Sequence, residues 1–208
     1  MSKFGVGAWV PLFIGIVAFT MMRTWRRGQR LLRAEVRKGR GKLDDFVMSL
    51  LQAPPHRVNG TAVFLTSDPN VVPNALVHNL RHNQVLHQQN ILLHVEGVPI
   101  PHAPVAERLK IDALGEGFCR VTVRFGFMEI SDVPKALKCS SECAQLVIDP
   151  DSTTYFTSRE SVLASKDRRM HHLRDKIIAV MHRNAAPPSA FYRIPSDRLV
   201  DLGSNVQI

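Results

Sequence analysis

The chain has 208 residues, and its 27 Lys and Arg against 18 Asp and Glu give a formal net charge of +9. Residues 23–42 alone contribute +8, from nine basic residues and one acid, Glu35, while residues 43–208 contain 17 basic and 17 acidic residues. A nucleic-acid-binding domain spreads basic residues over its folded surface, so this concentration argues against nucleic acid as a partner. Three cysteines are too few, and odd in number, for a disulfide framework.

Residues 4–22 form an apolar run, FGVGAWVPLFIGIVAFTMM, without an ionisable side chain. A helix of these 19 residues comes close to the thickness of a bilayer's hydrocarbon core, about 30 Å. We therefore predict a transmembrane helix over residues 4–22, with Trp9 and Trp25 near the two headgroup zones. One alternative is a cleaved signal peptide, against which the arginines directly after the run argue. The other is a buried core helix.

The basic segment that follows predicts on which side of the membrane the rest of the chain lies. An excess of Lys and Arg beside a span marks the cytoplasmic side, so residues 43–208 are expected in the cytoplasm. We predict a basic juxtamembrane helix over residues 23–55, with Gly39 and Gly41 as a weak point and two prolines at its end. Its contacts with lipid headgroups are assigned to five arginines: Arg23, Arg26, Arg27, Arg30 and Arg33.

From residue 60 onward strands and helices alternate, which predicts a cytoplasmic α/β (α+β) domain over residues 60–208. Its first part predicts a β-α-β unit, with a strand over residues 60–67, a helix over 72–83 and a second strand over 90–98. The predicted hairpin has strands 109–114 and 118–127, joined by Gly115-Glu116-Gly117. The other predicted elements are helices over 133–144 and 166–184 and strands over 153–157, 199–202 and 206–208. The predicted fold class is thus one transmembrane α-helix followed by this domain.

The chain has no motif that predicts catalysis, a cofactor or a metal site. His78 and His82 are four residues apart on one predicted helix face, but no Glu follows the first and no third ligand is placed. Asp149, Asp151 and Glu160 are better explained by a turn and an arginine neighbour. Neither G-x-S-x-G nor G-x-x-x-x-G-K-[ST] occurs. We therefore expect no enzyme activity.

Residues 60–137 closely resemble the C-terminal cytoplasmic region of bacterial Kup potassium-uptake transporters. The most specific segments are GTAVFLTSDP, ALVHNLRHNQVLH, LGEGFCRVTVRFGFME and DVPKAL. Upstream, GAWVPLFIGIVAFTMMRTWRRG resembles the family's last transmembrane helix and its arginine-rich exit, and TTYFTSRE and the last 26 residues resemble its final segments. Ser158, Leu173 and Ser196 depart from the family's pattern, which concerns local packing in the last third of the chain.

The resemblance implies uptake of K⁺ coupled to H⁺ by a twelve-helix transporter in the bacterial inner membrane. It also implies that the ion path is built from earlier helices, which this chain does not contain. The expected partners are K⁺ and H⁺ as transported ions, the lipid bilayer, and a second copy of the chain or the N-terminal transporter portion. The alternative is an autonomous single-span protein whose cytoplasmic domain binds an effector or a partner.

Overall fold

The computed structural model describes residues 9–38, 41–52, 54–143, 148–149, 152–163, 180–181, 184 and 188–207. The chain forms two compact units. One contains residues 1–39, 160–185 and 205–208, and the other contains residues 40–159 and 186–204.

The first unit contains a long helix, α1 (Trp9–Lys38). Residues 9–22 of the apolar run and the basic residues from Arg23 to Lys38 belong to this one continuous helix, while residues 4–8 lie outside the described part of the chain. Across the ranges that the structure describes, no helix combines the length and apolar character needed to cross a bilayer.

The second unit begins with α2 (Leu43–Gln52) and the predicted β-α-β unit, which is confirmed. Strand β1 (His56–Thr66) leads through α3 (Asn74–Asn83) to β2 (Val85–Val98), and the two strands are parallel. Both strands begin earlier than predicted, because their amino ends also pair with each other, residues 56–58 with residues 85–87.

The predicted hairpin is also confirmed, as β3 (Leu109–Gly115) and β4 (Phe118–Gly126) pair in antiparallel register. Its turn has positive φ angles at Gly115 (90°), Glu116 (48°) and Gly117 (74°). Two glycines suit such a turn, because only glycine enters this region of backbone conformation without steric cost.

The six strands in the described part of the chain form one sheet in the order β3-β4-β2-β1-β5-β6, with β5 (Thr153–Leu163) and β6 (Leu199–Gln207) beyond β1. Strand β4 is parallel to β2, and β5 is parallel to β1. The four strands β4, β2, β1 and β5 therefore end at the same side of the sheet, which we name the carboxyl edge. The opposite side is the amino edge.

Alternating side chains divide the apolar core between the two faces of the sheet. On one face Phe64, Leu92, Phe118 and Phe156 pack with residues of α2 and α3, and the rings of Phe64 and Phe156 stack at 4.8 Å. On the other face the core includes residues of α4 (Val133–Cys143). The sheet therefore has helices on both faces, which agrees with the predicted mixed α/β class.

The last third of the chain differs most from prediction. Strand β5 is longer than predicted, and one strand, β6, replaces two short ones. A short helix, α5 (Pro188–Phe191), was not predicted. The predicted helix over residues 166–184 lies almost entirely outside the described residues. Single 3₁₀ turns occur at Val105–Glu107 and Ser196–Arg198.

Candidate functional site

Four of the five arginines assigned to the membrane interface are exposed on α1: Arg23, Arg26, Arg27 and Arg30. The backbone of Arg33 belongs to the same helix, but the structure does not describe its side chain. At 100° per residue, these five positions fall within about 120° of the helix circumference. The buried Thr24, 5% exposed, lies outside that sector. The basic half of α1 therefore presents a stripe of arginines, which we name the arginine stripe.

The apolar half of α1 is exposed on every side. All residues from 9 to 22 are exposed, and seven of the large apolar side chains retain 57–65% of their accessible surface. They are Trp9, Leu12, Phe13, Ile14, Ile16, Phe19 and Met22. A helix that is apolar all round belongs in a protein core or in a membrane, and exposed patches of this extent mark interaction surfaces. This half of α1 therefore requires an apolar environment.

The polypeptide reaches the second unit at the carboxyl edge. Lys42 forms an isolated antiparallel bridge with Val71, and Leu43 donates its backbone N–H to the carbonyl oxygen of Asn70 at 3.1 Å. Asn70 and Val71 lie between the end of β1 and the start of α3, so they belong to the carboxyl edge. Residues 42 and 43 are thus held at this edge of the sheet by backbone hydrogen bonds.

At the same edge a single carboxylate joins the loops that follow β2 and β4. Oε2 of Glu129 accepts the backbone N–H of Gly126 at 2.7 Å and that of Ala103 at 3.1 Å. Its Oε1 accepts a hydrogen bond from Nη2 of Arg108, which also donates to the carbonyl oxygen of Ala103 at 3.1 Å. We name these four residues the Glu129 cluster. The cluster holds the two loops in one arrangement.

These contacts lower the pKa of Glu129 from its ordinary value of 4.5. The hydrogen bond from the N–H of Gly126 has the largest effect, and the N–H of Ala103 and the charges of Arg108 and His102 act in the same direction. Partial burial of the side chain, which is 13% exposed, opposes them. The carboxylate is therefore ionised at neutral pH, and the cluster is a charged structural clamp.

The two clamped loops present apolar side chains to the outside. Val105 is 83% exposed, Phe127 69%, Met128 67% and Ile130 62%. Phe127 also lines a cavity of about 450 Å³ whose wall includes residues of β2, β4 and α5. The carboxyl ends of parallel strands are the usual position of ligand sites in α/β proteins. This edge is therefore the candidate functional surface of the second unit.

The amino edge has a different, closed construction. Arg57 donates through Nη2 to the carbonyl oxygen of Glu116 at 2.7 Å and through Nη1 to that of Gln88 at 3.3 Å. The backbone N–H of Asn90 donates to the carbonyl oxygen of Gly117 at 2.7 Å. The β3–β4 turn is thereby bound to the start of β1 and β2, so this edge serves the stability of the sheet.

The remaining candidate residues show no site chemistry. The rings of His78 and His82 stack at 5.8 Å, and within the described ranges no group of three or more His, Cys, Asp or Glu could hold a metal ion. Burial raises the pKa of the Cys119 thiol, which makes it a poor nucleophile. Asp149 accepts a hydrogen bond from Thr153 Oγ1 at 2.6 Å through its backbone carbonyl, as expected of a turn.

Sequence reasoning missed the Glu129 cluster. The signal available was the composition of the two loops, PIPHAPV (99–105) and FMEIS (127–131), each of which follows a β-strand with exposed apolar residues and few charges. Nothing in these segments matches a catalytic or metal-binding pattern, and their juxtaposition depends on the parallel pairing of β2 with β4.

The family model described as "K+ potassium transporter C-terminal domain" matches residues 59–208 of the chain. The chain belongs to this family. The match includes the whole sheet except the start of β1, and it covers the loops of the carboxyl edge and the β3–β4 turn, but not Arg57 or Lys42.

Curated relatives extend the similarity to α1. The chain is 57% identical over 206 residues to "Probable potassium transport system protein Kup" of Xanthomonas euvesicatoria pv. vesicatoria, covering 99% of this chain and 32% of that protein. The proteins of the same name from Xylella fastidiosa (strain Temecula1) and Thiobacillus denitrificans are 55% and 45% identical, covering 99% of this chain and 32% and 33% of their own lengths. The chain thus spans about one third of the length of these relatives. No solved structure shows a significant match to it.

Proposed function

We propose that this chain is the C-terminal portion of a Kup-type potassium transporter, and that the whole protein takes up K⁺ in symport with H⁺. The observation that supports this most strongly is the extent of the similarity: nearly all of the chain matches about one third of proteins named as potassium transport proteins. The family match to residues 59–208 assigns the corresponding segment to the C-terminal domain of such transporters.

The proposal includes a location for each part of the chain. Residues 4–22 form the last transmembrane helix in the bacterial inner membrane, residues 23–55 form the basic juxtamembrane segment, and residues 60–208 form a cytoplasmic domain. Two features of α1 support this: its apolar half is exposed on every side, and its arginine stripe follows directly. Basic residues beside a span are retained on the cytoplasmic side and attract anionic lipid headgroups.

In this proposal the ion path belongs to the part of the transporter that precedes α1. A single apolar helix without ionisable groups cannot surround an ion or shield it from lipid. The 208 residues therefore supply a membrane anchor and a cytoplasmic domain that serves regulation or assembly, and we expect no K⁺ transport by this chain alone.

The test is a chimera in a bacterial strain that lacks its own potassium uptake systems. The C-terminal third of the Xanthomonas euvesicatoria relative is replaced by this chain, and growth and K⁺ uptake are measured at low external K⁺. We expect the chimera to restore uptake to a level close to that of the intact relative. The matched controls are this chain alone and the relative truncated at the same junction.

Two results would contradict the proposal. Uptake by the 208-residue chain alone would show that its own residues form an ion path. A chimera that reaches the membrane in normal amount, confirmed by immunoblot, but transports no K⁺ would show that this chain does not replace the C-terminal portion of the relative.

A further inference from the structure

We propose that the apolar loop tips at the carboxyl edge rest in the headgroup region of the lipid bilayer, so that the cytoplasmic domain touches the membrane through a defined surface. We name this surface the tip patch. It consists of six residues: Ile100, Val105, Phe127, Met128, Ile130 and Phe191. The inference rests on the proposed membrane location of α1, and it goes beyond it by naming a second lipid contact.

The exposure of the tip patch is the first observation. Four of its side chains, at positions 105, 127, 128 and 130, are 62–83% exposed, while Phe191 is 65% and Ile100 40% exposed. The two loops lie side by side, since Phe127 donates its N–H to the carbonyl oxygen of Ile100 at 3.0 Å and Met128 donates to that of Pro101 at 3.1 Å. The apolar side chains of the two loops therefore lie close together, and Phe191 lines the same cavity as Phe127.

Several polar groups of these loops are bonded within the loops, while the side chain of His102 is 68% exposed. The only ionisable residues in segments 99–105 and 127–131 are His102 and Glu129, and the carboxylate of Glu129 is held in its cluster. Three residues of the first loop are prolines without an N–H donor. The N–H groups of Ala103, Phe127 and Met128 are all donated to atoms of the two loops. A surface with few free donors loses little when it leaves water for a less polar layer.

The position at which the chain continues from α1 into the domain is the reason to assign the lipid bilayer as the partner of the tip patch. Lys38, at the end of α1, and Lys42 are four positions apart in the chain. Lys42 is bonded to Val71 at the carboxyl edge. Of the strands that bear the tip patch, β2 lies next to β1 and β4 lies next to β2 in the sheet, at spacings of about 4.8 Å each. The same edge of the domain that is tethered to the proposed membrane helix thus bears the apolar tips.

The clamp gives the tip patch a fixed shape. The Glu129 cluster bonds both loops through a carboxylate that accepts two backbone N–H groups and an Arg108 guanidinium. A preordered surface loses less conformational freedom when it enters an interface. We therefore expect the tips to insert as one unit, with the apolar side chains and not the loop charges in contact with lipid.

The test measures the depth of two matched positions in the membrane. Met128 and Met48 are both exposed methionines, at 67% and 64%, but Met48 lies on α2 and outside the tip patch. Each is replaced by cysteine in a chain without its native cysteines and labelled with an environment-sensitive fluorophore. The full chain is placed, one copy per disc, in nanodiscs of phosphatidylcholine and phosphatidylglycerol. Some of the lipids bear a nitroxide quencher near the headgroup.

We expect quenching of the label in Met128→Cys to be severalfold stronger than that in Met48→Cys. A label at Phe13→Cys, in the apolar half of α1, reports separately on the proposed membrane helix. Quenching at position 13 with equal, weak quenching at 128 and 48 would overturn the tip patch and leave the proposed function standing. Absence of quenching at all three positions would overturn both.

Two further measurements distinguish insertion of the tip patch from other causes of quenching. The double substitution Phe127→Ser and Ile130→Ser, in the Met128→Cys background, should reduce quenching to the level of Met48→Cys, because both altered side chains are exposed and their loss leaves the core intact. Unchanged quenching would mean that the label itself enters the lipid and would overturn the proposal. Quenching that appears only in vesicles with many copies, and not in single-copy discs, would assign the tip patch to contact between copies.

Discussion

The carboxylate of Glu129 accepts hydrogen bonds from the backbone of two loops that are more than twenty residues apart in the chain. Arg108 completes the arrangement from a third position, at the start of β3. His102 of the first loop also lies near this carboxylate, with its Nδ1 4.0 Å from Oε1 of Glu129. Residue Glu129 therefore has a structural role that a neutral side chain of the same shape cannot fully take over, because hydrogen bonds to a charged group are the stronger ones.

Glu129→Gln tests this role. We expect the substitution to lower the free energy of unfolding of the domain by about 1–3 kcal/mol at neutral pH, the range for hydrogen bonds to charged groups. Both tyrosines belong to the second unit and both tryptophans to α1. Denaturation of the full chain in mild detergent is therefore followed by the near-UV circular dichroism of the tyrosines. The exposed Glu107→Gln is the control and should change stability by less than about 0.5 kcal/mol.

The lowered pKa of Glu129 adds a pH dependence to the same comparison. A carboxyl group whose pKa is lower in the folded state stabilises the fold fully above its unfolded pKa, and this stabilisation is lost as the pH falls through the folded pKa. The difference in stability between the wild type and Glu129→Gln should therefore shrink as the pH falls below 4.5. A difference that stays constant down to the acid transition would contradict the charged clamp.

Gly117 is the residue whose replacement the amino edge tolerates least. A Cβ atom there would lie 2.3 Å from the carbonyl oxygen of Gln88 and 2.9 Å from Nη1 of Arg57, and its φ is +74°. We expect Gly117→Ala to destabilise the domain by at least about 2 kcal/mol, from the steric cost of positive φ and the clash. Gly97→Ala is the matched control, since no atom lies within 4 Å of its Cβ position. Equal free energies of unfolding for Gly117→Ala and Gly97→Ala, followed by the near-UV circular dichroism of the tyrosines, would contradict this account.

At the scale of the elements, the sequence predicts the parts of the sheet that are buried. The segments at the centres of β1 and β2 contain runs of apolar, β-branched residues, and these predict the strands and the β-α-β unit correctly. The hairpin is predicted because Phe118, Arg120 and Thr122 alternate with apolar residues around a two-glycine turn. In each case the local pattern and the tertiary environment require the same structure.

The amino halves of β1 and β2 are missed for a physical reason. Residues 56–59 include three polar side chains and residues 87–89 are all polar, so neither segment has the apolar pattern of a buried strand. Residues 56–58 become strand by pairing with residues 85–87. Gly60, with φ +106°, lies where the register between the two strands shifts. The sequence predicts that the first strand begins at this glycine, but the glycine lies inside β1. Pairing of this kind is a property of two segments and has no signature in either one alone.

The candidate surface of the domain is missed for a related reason. The arginine stripe is contiguous in sequence, so its composition and spacing are sufficient to predict it. The Glu129 cluster joins residues 103, 108, 126 and 129, which meet only because β2 and β4 are adjacent and parallel. Its prediction would require the strand order, which the sequence does not contain in local form.

At the scale of the whole molecule, the charge is distributed very unevenly. Of the net charge of +9, residues 23–42 contribute +8, while residues 43–208 are neutral. Only basic residues within about 15–20 positions of a span influence its orientation. The arginine stripe is therefore the feature that should decide on which side of the membrane the domain is retained.

Replacing all five stripe residues by glutamine tests this. The substitutions lower the charge of residues 23–42 from +8 to +3 (8 − 5) and keep the apolar run unchanged. We expect the fraction of chains with a cytoplasmic domain to fall, because the orienting charge is reduced. C-terminal fusions measure it: green fluorescent protein fluoresces when cytoplasmic, and alkaline phosphatase is active when exported. The altered positions are Arg23, Arg26, Arg27, Arg30 and Arg33.

A second set of five substitutions distinguishes the position of the charge from its total. It removes exposed basic residues of the domain, which lie too far from the apolar run to orient it, and gives the same net charge of +4 (9 − 5). These positions are Arg81, Lys110, Lys135, Lys138 and Arg193. If orientation depends on charge beside the span, the first set shifts the reporter ratio and the second leaves it at the wild-type value. Equal shifts from both sets would mean that overall charge controls insertion, and no shift from either would leave the arginine stripe without a role in topology.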